Sequence, residues 1–177
     1  MKLPFTILLS TVLAVGLLSP PNNKAANFNR VATLNFNSGE GGSQAAVIDP
    51  TVGFAYFGTG DTPAKVIKVR LSDFTEVGSV TLNPGENYLD AAAIDTGAGF
   101  GYFVTDTAPG IVVKVRLSDL NRVAALRLNP GENLPQTIVI DTAAQFLYVA
   151  TGAGDPVSII KIRLSDFSRI ATLDLKP

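Results

Sequence analysis

VIKVRLSDFTEVGSVTL, running from Val66 to Leu82, decides the fold, because the chain writes it again twice. It returns as VVKVRLSDLNRVAALRL from Val112 to Leu128 and as IIKIRLSDFSRIATLDL from Ile159 to Leu175. Its second half occurs once more near the start, as FNRVATLNF from Phe28 to Phe36. Equivalent residues lie 46 or 47 apart, as in Arg70, Arg116 and Arg163 or Phe74, Leu120 and Phe167. A period of that length marks a repeat architecture, in which each unit buries its apolar surface against the next.

Each copy is preceded by two further apolar runs. They are QAAVID (Gln44 to Asp49) with FAYFGT (Phe54 to Thr59), AAAID (Ala91 to Asp95) with FGYFVT (Phe100 to Thr105), and TIVID (Thr137 to Asp141) with FLYVAT (Phe146 to Thr151). NPGEN closes the first two units, at Asn83 to Asn87 and Asn129 to Asn133. Turn residues recur every eight to twelve positions with no sustained 3.6 period, the pattern of an all-β protein. The units span about 44–82, 90–128 and 136–175, each predicting four antiparallel strands, with one extra N-terminal strand at 31–36. In the third strand of the first unit, Ile67, Val69 and Leu71 take one face while Val66, Lys68 and Arg70 take the other. A sheet apolar on both sides must be covered twice. Stacking successive sheets around an axis achieves that, which is the β-propeller solution.

The string FAYFGT…VIKVRLSDFTEVGSVTLN resembles the YVTN-type and WD40-like β-propeller repeats of bacterial secreted and surface proteins. In those repeats an aspartate turn precedes an aromatic strand ending in a small residue or threonine, and a valine-rich outer strand finishes the blade. Asp49, Gly53, Tyr56 and Thr59 fit that pattern, as do Asp95, Tyr102 and Thr105, and Asp141, Tyr148 and Thr151. The resemblance covers residues 28–175 but not the Trp-Asp dipeptide, since the chain has no tryptophan. It implies a ligand- or protein-binding surface in some members and enzymes in a minority of distant propellers. Closed propellers use about four to eight blades, so three blades plus a strand predict an incomplete or open ring. The expected remedy is either further blades of a longer gene product or self-association of chains.

Residues 1–20, MKLPFTILLSTVLAVGLLSP, read as a signal peptide, with Lys2 ahead of an apolar run that is short for a membrane span. Cleavage is expected within 20–27, residues 21–27 are expected to form a flexible leader, and 28–177 the repeat segment. The predicted location is secreted, periplasmic or cell-surface, with no stable membrane span after cleavage. The 177-residue chain has a net charge of -1, and its 14 basic residues are spread through the repeats. That distribution gives no footprint for nucleic acid.

With no histidine and no cysteine, the usual zinc, copper and haem ligand sets are missing and a nucleophilic triad lacks its base. The sequence therefore predicts no cofactor, no metal and no catalytic residue. Asp95-Thr96-Gly97-Ala98 matches the D-T-G-A signature of aspartic proteases, but Asp49 and Asp141 occupy the same place in their repeats, so a turn aspartate explains all three. Lys68, Lys114 and Lys161 lie two residues from Arg70, Arg116 and Arg163. Their heads are expected to pair with Asp73, Asp119 and Asp166 or with Glu86 and Glu132, rather than to form an anion-binding ring. Tyr56, Tyr102 and Tyr148 read as interblade packing. The loops after the second strands differ most between repeats, which makes Thr59, Asp61, Thr105, Asp106, Thr151 and Asp155 the candidate binding surface for an unknown protein or glycan. The function expected is a non-catalytic binding or structural module. The alternative is part of a propeller hydrolase or lyase whose catalytic residues lie outside this chain.

Overall fold

The computed structural model describes residues 30–154 and 156–175. The segments read as signal peptide and leader, and Asp155, lie outside the described residues. Residues 32–177 form one compact unit.

The first sheet holds β1 (Ser43–Asp49), β2 (Phe54–Thr59), β3 (Lys65–Arg70) and β4 (Thr75–Thr81). The second holds β5 (Leu89–Asp95), β6 (Phe100–Thr105), β7 (Ile111–Arg116) and β8 (Asn121–Arg127). The third holds β9 (Asn133–Asp141), β10 (Phe146–Ala153), β11 (Val157–Arg163) and β12 (Ser168–Leu175). Every sheet is an antiparallel meander in chain order, and no sheet closes on itself. Strands β1, β5 and β9 are neighbours, so they form the inner edge, and β4, β8 and β12 lie outermost. This is an all-β, open propeller-like fold of three blades.

Two apolar cores lie between successive blades. The first gathers Tyr56, Val66 and Leu82 against Phe103, Val113, Val115 and Leu117. The second repeats it with Tyr102, Val112 and Leu128 against Val149, Ile160, Ile162 and Leu164. Each blade thus offers a tyrosine-bearing face forward and a leucine-bearing face backward. β4 and β8 alternate between half-buried and exposed positions, whereas the last six residues of β12 are all exposed, since among the described residues no sheet packs against that side of the third blade.

Local irregularities repeat as faithfully as the strands. Lys68 stands opposite Gly78 and Val69 opposite Glu76, which leaves Val77 as a bulge. Val123 and Ile170 bulge at the same place in the other blades. Such a bulge adds local twist to an outer strand. In the Ser-Asp-Phe/Leu turn, Phe74, Leu120 and Phe167 take φ of 53°, 55° and 52°. A left-handed conformation is costly for bulky residues, and packing explains its retention. Leu120 lies on the first interblade core and Phe167 on the second, with the Phe167 ring 6.0 Å from that of Tyr102. Each serves as a peg into the preceding blade. Phe74 meets no equivalent neighbour among the described residues and stays 39% exposed.

The N-terminal strand needs correction. Residues 31–36 pair with no sheet and carry no strand assignment. Strand propensity without an open partner edge does not make a strand. The chain nevertheless follows the repeat just beyond. Asn37 N donates to Glu40 Oε2 at 2.8 Å, as Asn83 N does to Glu86 at 2.9 Å and Asn129 N to Glu132 at 2.7 Å. Gly39, Gly85 and Gly131 share φ near 90° (85°, 90° and 93°). Residues 37–40 therefore repeat the geometry of the blade-closing turns at 83–86 and 129–132, and Phe36, in the place of Leu82, lies 6.0 Å from the Phe57 ring.

Candidate functional site

The two ends of the stacked sheets differ. One end carries the β1–β2 type turns and the Ser-Asp turns; the other carries the loops after the second strands together with the blade connections.

At the loop end the three threonines do not face outward. Thr59, Thr105 and Thr151 are 0%, 0% and 4% exposed. Their hydroxyl oxygens accept the backbone N–H of Lys65 (2.9 Å), Ile111 (3.0 Å) and Ser158 (2.9 Å), where each loop returns to its sheet. They are loop closures, and as surface candidates they are corrected. Asp61 is committed too: both its carboxylate oxygens accept Gly41 N–H, at 2.8 and 2.9 Å. Asp106 differs. One of its oxygens is buried with no hydrogen-bond partner, as is the side-chain oxygen of Asn87. Burial raises the nearby Asp90 carboxyl above its ordinary value, and the charge of Asp106 adds to the effect. Asp90 sits at the β5 bulge and escaped the sequence reading, which looked only at loops. Its signal was position, because Gln44 and Gln136 stand at the equivalent bulges of the other inner strands.

At the turn end the aspartates hold turns. Asp49 Oδ1 accepts Thr51 N–H at 3.0 Å, Asp95 Oδ1 accepts Ala98 N–H at 2.9 Å, and Asp141 Oδ1 accepts Ala144 N–H at 2.8 Å. A depression of about 760 Å³ lies between Asp95-Thr96-Gly97-Ala98 and Ile140, Thr142 and Gln145. Asp95 faces it as a capped turn residue, and the described residues that line it include no second carboxylate of the kind a proton-sharing dyad needs.

Arg70, Arg116 and Arg163 pair with Asp73, Asp119 and Asp166 at 2.8, 2.9 and 3.1 Å, all substantially exposed. The lysines do not pair with those aspartates or with the NPGEN glutamates, contrary to expectation. Lys68, Lys114 and Lys161 instead lay their ammonium groups over Phe54, Phe100 and Phe146, at 4.3, 4.1 and 3.8 Å from the ring centroids. Lys68 also donates to the carbonyl of Leu117 in the next blade at 3.0 Å, and the Tyr56 hydroxyl donates to the same oxygen at 3.4 Å. The aromatic face and carbonyl together replace a carboxylate as the resting place for the charge. Burial lowers Lys68 and Lys114 below the ordinary lysine value, opposed by Asp119 and Asp95 respectively. Burial pushes Tyr102 up to about 12, with the Asp95 charge adding to it.

The strongest polar links were missed in the sequence. Glu86 receives a bidentate guanidinium from Arg122 of the following blade, with the carboxylate side chain only 4% exposed. Glu132 receives Arg169 in the same way. Burial works to raise Glu132, but hydrogen bonds from Arg169 and Asn129 N–H and the Arg169 charge hold it below the usual value. In the first blade the equivalent of Arg122 and Arg169 is Glu76, and the equivalent of Glu86 is Glu40. A carboxyl pair therefore stands where an ion pair recurs. Burial raises Glu76, the nearby Glu40 raises it further, and Lys65 opposes them. Asn37 bridges the pair through its N–H to Glu40 and its side-chain amide to Glu76, the latter at 2.8 Å.

Among the described residues no three histidine, cysteine or acidic side chains converge on a metal position, and no helix is long and apolar enough to cross a membrane. No family model and no curated protein matches the sequence. Solved structures do match its shape. The hydrazine synthase of Kuenenia stuttgartiensis superposes with a TM-score of 0.66 at 12% identity, over 75% of this chain and 37% of that one. The WD40 repeats of RRP9 give 0.65 at 10%, over 79% and 40%, and U3-55K gives 0.65 at 10%, over 79% and 41%. The fold is that of β-propeller blades. The neighbours include WD40 repeat propellers, and the chain spans about two fifths of their length. At these identities the likeness shows the fold alone.

Proposed function

We propose that this chain is a non-catalytic, secreted or cell-surface propeller module of the YVTN-like kind, serving as a binding or structural element for a protein or glycan ligand. One observation carries the reading. The polar side chains that recur in every blade are engaged in blade-holding contacts: threonines in loop closure, aspartates in turns, and lysines over phenylalanines. Sequence variation is left to the loop end, around Gly60–Pro63, Asp106–Pro109 and the Asn87–Asp90 connection. Loops varied on a rigid scaffold are where recognition concentrates.

Two measurements test the two halves of this reading. Fractionation of cells expressing the full chain should place it outside the cytoplasm, with a mature N-terminus within residues 20–27; an intact cytoplasmic product would refute secretion. The purified chain should then bind a member of a glycan array or a surface-protein extract. Replacing Asp106 and Asp90 by alanine should weaken that binding at unchanged circular dichroism. Binding indifferent to both loop replacements, or turnover of a hydrolase or lyase substrate, would refute the binding role.

A further inference from the structure

The molecule makes one kind of interface twice and leaves both halves of a third exposed. On the backward face of the first blade, Leu71 is 37% exposed, against 3% and 4% for its equivalents Leu117 and Leu164. Ile48 is 53% exposed, while its equivalents Ile94 and Ile140 pack against the two cores. An apolar groove of about 300 Å³ runs there between Ala46, Val47, Ile48, Ala55, Phe57 and Leu71. On the forward face of the third blade, Leu175 is 43% exposed, against 3% for both Leu82 and Leu128. On the same face Leu173 of β12 and Val139 of the inner strand are 60% and 55% exposed. Lys161 already lies over Phe146 in the pose from which Lys68 reaches the Leu117 carbonyl.

We propose that the forward face of the third blade docks on the backward face of the first blade of a second copy, so that two chains close a six-bladed ring. The complementarity is that of the interblade interface itself, which these residues make wherever a neighbour is present. Leu71, Phe74 and the Leu71–Ser72 carbonyls on one copy receive Tyr148, Lys161 and Leu175 on the other, as Leu117, Leu120 and Ser118 receive Tyr56, Lys68 and Leu82. A joint of this kind is head-to-tail, and it either closes or propagates as a filament. Propellers close at about four to eight blades, and two sets of the three described blades make six. Phe36 occupies, against Phe57, the place that the partner's Leu175 would take, so residues 30–36 move aside as the seam forms. The close match of FNRVATLNF to FSRIATLDL fits two segments competing for one position.

The inference rests on the interblade contacts and not on the proposed binding role, so either can fail alone. Sedimentation velocity on the full chain should show a discrete dimer. Leu71→Asp and Leu173→Asp each place a charge on one half of the seam, and both sites are exposed in the single chain, so secondary structure should survive. Each variant alone should dissociate to monomer, with a dissociation constant raised at least tenfold. In an equimolar mixture the two variants share one unaltered seam, so they should pair with each other more readily than either pairs with itself. Phe36→Ala should tighten the dimer. A monomeric wild type, an open-ended series of species, or a dimer insensitive to both charges would overturn the proposal. So would a mixture that pairs no better than either variant alone.

Discussion

Replacing Glu76 by arginine should convert the one mismatched link of the repeat into a matched one. Glu40 and Glu76 now face each other across Asn37, and both natural clamps place an arginine at the second position. The gain has two sources, loss of carboxyl–carboxylate repulsion and formation of a bidentate guanidinium pair. Hydrogen bonds to charged groups contribute about 1.5–3 kcal/mol, and partial exposure of this link reduces that. We expect about 1–2 kcal/mol in favour of the attached turn, which is about a 5–30-fold change in its opening equilibrium. Hydrogen exchange of the Glu40 and Gly41 amides reads that opening directly. The pH dependence supplies the sign. The folded value of Glu76 lies above its unfolded value, so its protonation stabilises the attached state at low pH. That contribution is lost as pH rises through the range just above the ordinary glutamate value. In wild type, protection should therefore fall as pH rises through that range. In Glu76→Arg that fall should be absent, because the carboxyl whose protonation favours the attached state is gone. Unchanged protection at neutral pH, or an unchanged pH slope, would refute the carboxyl-pair assignment.

Four further outcomes are expected. Thr105→Val should cost about 1–3 kcal/mol in urea unfolding, because the buried Ile111 N–H loses its acceptor. Gly110→Ala should destabilise by about 1–3 kcal/mol, since an added Cβ would lie 2.4 Å from the Pro135 ring. Gln145→Gly should stabilise by up to about 1 kcal/mol. Gln145 holds φ 62° where Gly53 and Gly99 stand, although the gain is offset by loss of its 2.6 Å bond to the Thr142 carbonyl. Calorimetry would show a small upward shift in Tm. On the alkaline side, Tyr102 stays protonated in the fold while its unfolded counterpart ionises near 10.0, so its contribution should fade between pH 10.0 and about 12. Tyr102→Phe should flatten that part of the stability profile.

The blade pattern was legible because three copies of each strand and turn spoke for the same pairing. What escaped notice depends on neighbours. Residues 31–36 have the composition of an outer strand but meet no open edge, so propensity alone misplaced them. The spacing of Lys68 to Arg70 fixes which side of a strand they occupy, but it is silent about the Leu117 carbonyl in the next blade. Arg122 and Arg169 could have been found by comparing position 76 with its repeats, since a glutamate breaks an otherwise basic column. The threonines looked like surface residues because they open the loops that vary most between repeats, whereas their hydroxyls are needed inside as acceptors.

The Glu86–Arg122 and Glu132–Arg169 links carry a consequence for how such a chain can change length. Each joins the closing turn of one sheet to the outer strand of the next, so no cut between sheets falls at a place free of obligations. A deletion or duplication of one whole repeat, begun at any phase, keeps each remaining glutamate in register with the arginine column of the next sheet. One that is not a whole step leaves a carboxylate stranded. Growth and loss of such arrays should therefore proceed in whole periods.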